Sequence, residues 1–367
     1  MKSFQSAFNS FIQKLFSGCF LFSTKPNPIL ILDRFYYNNS NNIYAHHLFL
    51  LDVKTKLLKE LHVPKVTHSN IMGFKIIGSC HGLLCIAHYS LHQNSTLFIW
   101  NPATKQTRTI IEQQQESLLL LPPDCLIGFY FNNHNEKSHD FYVVRLHSFE
   151  ETKSDSLGKI YSIRAEKYSL SDGLWREIKG CDQNLILKGN LFWTENCVTV
   201  EETLFWVAIE VSEKVSHEMI ISFNSCNNVI SKIEMPFSSK DCAEVYKKLA
   251  VYKDSLSLVI CSESKNMEQW LDLWVLSDEY EGVECWNKVQ TIGMFSRLER
   301  PVGVWKNEIL MATNKMIHGV GGIVALLPED DIGDEFSYNI LNYEESFIPL
   351  DYVEESDYIE SEGFLLI

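Results

Sequence analysis

A short apolar strand, a polar turn and an answering strand recur along most of this chain, and that repeat limits the fold more than any other feature of the sequence. It is densest between Gly73 and Ile110, where runs at 74–79, 83–87, 97–100 and 107–110 are separated by Cys80-His81-Gly82, a polar stretch and Asn101-Pro102-Ala103-Thr104. Four strands in so short a span make one small antiparallel sheet and leave no room for a helix. Asn101 suits the first position of a type I turn and Pro102 presets φ at the second, so the chain reverses after Trp100.

The same outer hairpin is read at 48–51/57–61 about Asp52, 98–100/107–110 about Asn101, and 168–170/174–178 about Asp172. It returns at 220–223/229–233 about Asn224, 273–276/285–289 about Asp278 and 323–327/336–340 about Glu329. A second hairpin precedes most of these, turning at His81-Gly82, Gly189-Asn190, Lys253-Asp254 and Lys306-Asn307, with 127–131 and 141–146 supplying the one in the longest interval. Two hairpins every fifty or so residues predict four-stranded blades and a propeller of the kelch kind. A sandwich needs no fixed period. The expectation is an all-β propeller of six blades, or seven if 341–367 and 29–45 together form another sheet. Both ends must then share a blade, since unpaired sheet edges are a liability, and residues 364–367 are expected to supply the closing strand. Trp100, Trp193, Trp274 and Trp305 are expected between blades, and 240–249 is the one later stretch with helix-compatible spacing.

Ahead of the repeat, Phe4, Phe8, Phe11, Ile12 and Leu15 recur at helical spacing, predicting a short amphipathic helix in residues 1–22, and the prolines of Lys25-Pro26-Asn27-Pro28 make 23–28 a linker to a domain spanning 29–367. The apolar run at 15–22 lacks the flanks of a signal peptide, and no segment approaches the length of a membrane span. Ten cysteines scattered singly fit buried thiols in a reducing compartment. These features place the protein in the cytoplasm, with the nucleus as a second compartment. The net charge of −15 is concentrated at one end: no Lys or Arg follows Lys315, while thirteen carboxylates lie between Glu329 and Glu362. An acidic chain with no basic stripe is a poor nucleic-acid binder.

Gly78-Ser79-Cys80-His81-Gly82-Leu83-Leu84-Cys85 followed by Trp100-Asn101-Pro102-Ala103-Thr104-Lys105 resembles the hallmark pair of the F-box-associated domain of plant F-box proteins, the S-locus F-box type included. Leu174-Trp175-Arg176-Glu177-Ile178, Asn190-Leu191-Phe192-Trp193, Leu273-Trp274-Val275-Leu276 and Val304-Trp305-Lys306-Asn307-Glu308 extend the resemblance over most of the chain. Gly78, Cys80, Gly82, Trp100, Asn101, Pro102 and Trp305 are the motif residues expected to have structural roles. Lys2-Ser3-Phe4, Phe11-Ile12 and Leu15 resemble the C-terminal end of an F-box, whose earlier part does not precede them, so 1–22 reads as the remnant of that helical box.

The resemblance implies the substrate-recognition subunit of a Skp–cullin–F-box ubiquitin ligase, monomeric outside the complex. It would bind a protein target for ubiquitination, a basic ribonuclease in the manner of the S-locus type, with a Skp-type adaptor and cullin recruited once the F-box is complete. Phe4, Phe8, Phe11, Ile12 and Leu15 would face the adaptor, and Asp351, Glu354, Glu355, Asp357 and Glu360 would offer the target an acidic landing surface. The alternatives are a stand-alone propeller that binds the same targets without recruiting a ligase, and, last, a propeller enzyme. No cofactor or metal is expected. Cys80, His81, Cys85, His88 and His92 are ligand-type residues close in sequence, but strand alternation puts Cys85 and His88 on opposite faces. His46 and His47 are divided in the same way. The glycines of His318-Gly319-Val320-Gly321-Gly322 precede a strand-like run, so they make a turn and no phosphate loop.

Overall fold

The structure, a computed structural model, describes residues 29–350 except 39–42, 65–70, 91–95, 111–124, 133–139, 152–159, 182–184, 186, 188, 194–196, 213–215, 237–242, 265–267, 281–282, 296–299, 314, 320–321 and 329–331. The expected helix of 1–22, its linker and residues 364–367 lie outside the described residues.

Most of the apolar runs of the repeat become strands. Blade one takes β1 (Ile29–Asn38), β2 (Ile43–Asp52) and β3 (Leu57–Leu61). Blade two is β4 (Ile71–Cys80), β5 (Leu83–Ser90), β6 (Thr96–Asn101) and β7 (Gln106–Thr109), and blade three is β8 (Cys125–Asn132), β9 (Asp140–Glu151), β10 (Ile160–Ser169) and β11 (Leu174–Ile178). Blade four holds β12 (Asn190–Trp193), β13 (Val198–Val200), β14 (Thr203–Val211), β15 (Ser216–Asn224) and β16 (Val229–Ile233). Blade five is β17 (Ala243–Tyr252), β18 (Ser255–Glu263), β19 (Gln269–Tyr280) and β20 (Val283–Phe295), and blade six β21 (Arg300–Trp305), β22 (Glu308–Ala312), β23 (Met316–Gly319) and β24 (Gly322–Leu326). The last strand, β25 (Ile332–Tyr343), returns to blade one and pairs antiparallel with β1 from Ile29↔Tyr343 to Asn38↔Ile332. The result is an all-β six-bladed propeller of antiparallel sheets, with no helix among the described residues. Strands β25, β4, β8, β12 with β13, β17 and β21 are innermost, and each lies against the next around the ring.

Six buried apolar clusters fill the six interfaces between neighbouring blades. Each sheet has core on both faces, which is why its inner strands read as nearly continuous apolar runs. Trp100 is 2% exposed in the cluster between blades one and two, as expected, whereas Trp274 and Trp305 are only half-buried. The side chain of Trp193 lies outside the described residues. The most deeply set indole is Trp206, at 1% exposure between blades three and four, where its Nε1–H donates to the Ile127 carbonyl at 2.8 Å. Gly128 makes room for it, since a Cβ there would lie 2.8 Å from the Trp206 ring.

Several sequence expectations are corrected. The segment read at 323–327/336–340 is no hairpin: β24 is the outermost strand of blade six and β25 the innermost of blade one, so the stretch about Glu329 passes between blades. The seventh blade is therefore ruled out, because 29–45 and the strand ending at Tyr343 already belong to one sheet. Gly189-Asn190 opens β12 and makes no turn, because the inner strand of blade four is split and reverses instead at Glu201-Glu202. Residues 243–249 belong to strand β17, whose apolar positions pack on both sides of blade five. Asp278 lies inside β19, which runs on to pair Tyr280 with Val283. Replacing Trp206 by Ala should lower stability by about 3–5 kcal/mol, and the half-buried Trp305 should cost less. Urea unfolding of the two variants side by side checks the order.

Candidate interaction surface

Antiparallel order sends the first and third connections of every blade to one end of the ring and the second, with the link to the next blade, to the other. Among the described residues the first end is built of tight turns. Three of the inner hairpins use two residues in left-handed backbone: His81 (φ 46°) and Gly82 (75°), Lys253 (49°) and Asp254 (62°), Lys306 (47°) and Asn307 (64°). Paired left-handed residues match the twist of the strands they join.

The outer hairpins repeat another device. Asp52 pairs with Leu57, Asn101 with Gln106, Ser169 with Leu174 and Asn224 with Val229, each across a four-residue loop. The loop's last residue is left-handed in every case: Lys56, Lys105, Gly173 and Asn228. The side-chain oxygen of the first residue accepts the backbone N–H groups two and three positions on, from Lys54 and Thr55, from Ala103 and Thr104, and from Cys226 and Asn227. Those bonds hold the Asp52 carboxyl below its ordinary range, the Thr55 N–H first among them. Blade three departs from this. Its equivalent position is Ser169, three residues before the expected Asp172, and the acceptor comes from the next strand: Asp140 on β9 takes the Ser171 N–H at 3.0 Å and the hydroxyls of Ser169 and Ser171. Asp140 is 2% exposed, and burial pushes its carboxyl above the usual range against the pull of those bonds.

After β25 the chain crosses the tight-turn end as an extended strap, residues 344–350, running from blade one beneath blade two. Asn101 is fully buried, and its Nδ2 donates to the Ser346 carbonyl at 2.9 Å and the Ile348 carbonyl at 3.1 Å. The Leu350 N–H donates to Gln106 Oε1 at 3.0 Å, and Ser79 Oγ to the Asn342 carbonyl at 3.2 Å. Ile348 and Leu350 are buried in the cluster between blades two and three, and Phe347 is 63% exposed. A Cβ on Gly82 would lie 2.2 Å from the Glu344 carbonyl oxygen and 2.4 Å from Ser346 Cβ.

The remaining motif residues fall on both sides of blade one. Gly78 sits at a bulge in β4 with Phe129 of blade three 3.5 Å from where its Cβ would be. Cys80 packs on the same cluster, its thiol pushed up to about 12 by burial, and Pro102 is the first residue of the outer loop. Trp305 lies at the other side of blade one, with Lys306 Nζ 4.4 Å over its ring. The acidic residues Asp351, Glu354, Glu355, Asp357 and Glu360, the residues Phe4, Phe8, Phe11, Ile12 and Leu15 expected on a helix, and His92 lie outside the described residues. What precedes the acidic run is placed, however: Leu350 ends at blade two, not at the closing blade.

Polar chemistry concentrates around blade one, where sequence reasoning singled out only His46 and His47. These two point to opposite faces. His46 meets Asp33 Oδ1 at 2.5 Å and stacks on Phe74 of blade two at 3.7 Å, while His47 meets Glu60 Oε1 at 2.8 Å. Asp33 also accepts from Asn339, and Lys248, from the innermost strand of blade five, donates to Asn339 Oδ1 at 2.6 Å and to the Tyr338 carbonyl at 3.1 Å. Arg34, fully buried, lies 4.6 Å over the Tyr36 ring and donates to Tyr338 Oη. Arg34 and Lys248 carried no signal in the sequence, since each stands beside another charged residue, Asp33 or Lys247, in a short strand-like stretch and matches no motif. Among the described residues no group of three or more His, Cys, Asp or Glu side chains is arranged to hold a metal, and no helix is long and apolar enough to cross a membrane.

The chain is matched over residues 34–319 by the F-box associated beta propeller domain, and it belongs to that family. F-box protein At3g17490 of Arabidopsis thaliana is 23% identical over 317 residues, covering 82% of this chain and 74% of its own length. F-box protein At3g07870 of the same plant is 25% identical over 279 residues, covering 71% of this chain and 62% of its own length, so the chain spans less than the whole of either relative. Among solved structures the Aleuria aurantia lectin with α-methyl-L-fucoside matches at 10% identity and a TM-score of 0.34, over 79% of this chain and 88% of that one. A likeness that low carries no functional argument.

His88 supplies a test of the interface between blades one and two. It is 2% exposed, faces Phe98 at 4.6 Å, and neither ring nitrogen has a partner, so burial pulls its pKa down to about 4. The unfolded chain, at the ordinary value near 6.5, takes up a proton that the folded chain refuses between about pH 6.5 and 4. Stability should therefore fall as pH drops through that window, by up to about 1.4 kcal/mol per pH unit. Denaturant titrations from pH 7 to 4 should show a shallower slope for His88→Leu than for the native chain.

Proposed function

We propose that this propeller is the target-recognition part of a Skp–cullin–F-box ubiquitin ligase, binding a protein by surface complementarity and leaving ubiquitin transfer to its partners. The observation that carries this reading is the family match over 34–319. The F-box names of both Arabidopsis relatives support it. The partners it implies are a Skp-type adaptor and a cullin scaffold, reached through an F-box whose last helix is residues 1–22, with Phe4, Phe8, Phe11, Ile12 and Leu15 toward the adaptor. The cytoplasm and nucleus are where such a ligase would act.

The target best suited to the chain's charge is a basic protein, a basic ribonuclease in the S-locus manner. Asp351, Glu354, Glu355, Asp357 and Glu360 would act as a landing surface that speeds encounter more than it adds final affinity. Because the strap ends beside Gln106, that surface would be anchored at the tight-turn end of blade two.

Capture of a Skp-type adaptor by the full chain, and by the chain with a complete F-box restored upstream, tests the ligase reading. The restored form should retain the adaptor. Retention by neither form would leave a stand-alone interaction propeller. For the target, converting the five carboxylates to amides should slow association of a basic ribonuclease about tenfold at low ionic strength and leave dissociation unchanged. Stopped-flow association over a salt series reads this, and identical rates would reduce the acidic run to a solubility role.

A further inference from the structure

Two residues of the hallmark motifs do more than their turns require. Asp52 builds the same outer loop as Asn101 with a carboxylate, which has only acceptor oxygens, so the loop needs no amide donor. Asn224 builds it too, and spends its Nδ2 on Thr203 within its own blade. The Asn101 Nδ2 is directed instead at two carbonyls of the strap. Gly82 presents a parallel case. Its left-handed φ is also adopted by Asp254 and Asn307 at the same place in the inner turns of blades five and six, so backbone conformation alone does not demand glycine. What sets Gly82 apart is the strap passing within 2.2 Å of where a Cβ would be.

We propose that the groove between blades two and three at the tight-turn end is a binding site for an extended peptide, and that residues 344–350 are its resident ligand, held as a separable latch. The chemistry it selects can be read from the contacts. The ligand presents two main-chain carbonyls, two residues apart, to the Asn101 amide; it carries a small residue over Gly82, the place of Ser346; and it buries aliphatic side chains at the places of Ile348 and Leu350, with the last N–H on Gln106 Oε1. Phe347 points away and is free to vary. Being outside every sheet, the latch can leave without unpairing a strand.

Hydrogen exchange of the full chain tests this through substitutions that keep the turns. Asn101→Asp retains the acceptor for the Ala103 and Thr104 N–H groups while turning an oxygen toward both strap carbonyls. Gly82→Asn tolerates the left-handed φ and places a Cβ in the strap's path. In each variant the amides of Ile348 and Leu350, which donate to Ser346 Oγ and Gln106 Oε1, should exchange at least about tenfold faster, with those of 103 and 104 and of blades five and six unchanged. Asp52→Asn, which has no strap to engage, should alter nothing. A labelled peptide of residues 343–351 should bind saturably to the full chain carrying Ile348→Asp and Leu350→Asp, and should lose that binding when Asn101→Asp is added. Unchanged strap exchange in both groove variants, loosening that spreads to all blades, failure of either variant to fold, or peptide binding indifferent to Asn101 would each overturn the proposal, because a separable latch permits none of them.

Discussion

The pairing of β25 with β1 is the constraint on which the rest of the ring depends. It joins residues some three hundred positions apart, as the bond from Arg34 to Tyr338 across 304 residues illustrates. Without it blade one would keep three strands with an open inner edge, and both of its interfaces would lose side chains at once: Tyr338 and Ile340 from the one with blade six, Leu341 and Tyr343 from the one with blade two. Contacts this distant in sequence are rewarded only after a large loop has closed, so ring closure is costly to reach and correspondingly cooperative once made. That the closing strand lies innermost matters as well, because there it lines the axis and touches the inner strands of both neighbours.

The outer hairpins show how local chemistry is reused to keep such a ring in register. A one-residue slip in any blade would send its core side chains to the wrong interface. The four-residue loop with a left-handed last residue fixes the count in blades one to four, and its polar first residue satisfies two N–H groups that would otherwise be orphaned near a buried edge. In blade three the role is divided: Ser169 is too short to serve both, and Asp140 of the adjoining strand supplies the second acceptor. The same end of the ring is where Asn101 and Gly82 receive the strap, so turn formation and strap docking are coupled in two side chains of blade two.

The sequence made the repeat legible because two-residue alternation and turn chemistry are local. The hairpins at Asp52, Asn101 and Asn224 lie where their turn residues placed them, and three of the four inner turns are as read. What it hid is relational. Glu329 resembles the other turn markers, yet the strands on either side belong to different blades, and no local pattern distinguishes a turn from a crossing. Trp206 sits in a run, Leu204-Phe205-Trp206-Val207, no different from its neighbours, and its depth depends on Gly128 in another blade. The strap was invisible for the same reason, since 344–350 has neither strand nor helix periodicity and its meaning lies in a groove made by residues far upstream. The family motifs were recognised as a pair, but that Gly82 and Asn101 converge on a single segment follows only from the fold.

The inner rim shows how the thinnest part of the ring is braced. Blade six has strands of only four to six residues, and its inner strand β21 is interrupted at Gly303, where the pairing with β22 shifts register. A buried ammonium is tolerated only when its hydrogens find acceptors. Lys248 finds two of them by passing blade six and reaching the backbone and Asn339 of β25. Asn339 in turn donates to Asp33, which holds His46 against Phe74. Blades five, one and two are thereby tied through one polar chain that does not run through the apolar interfaces of blade six. Removing the ammonium would take one donor from the Tyr338 carbonyl and one from Asn339 Oδ1, so the cost would fall on the closing blade, not on the blade that carries the lysine.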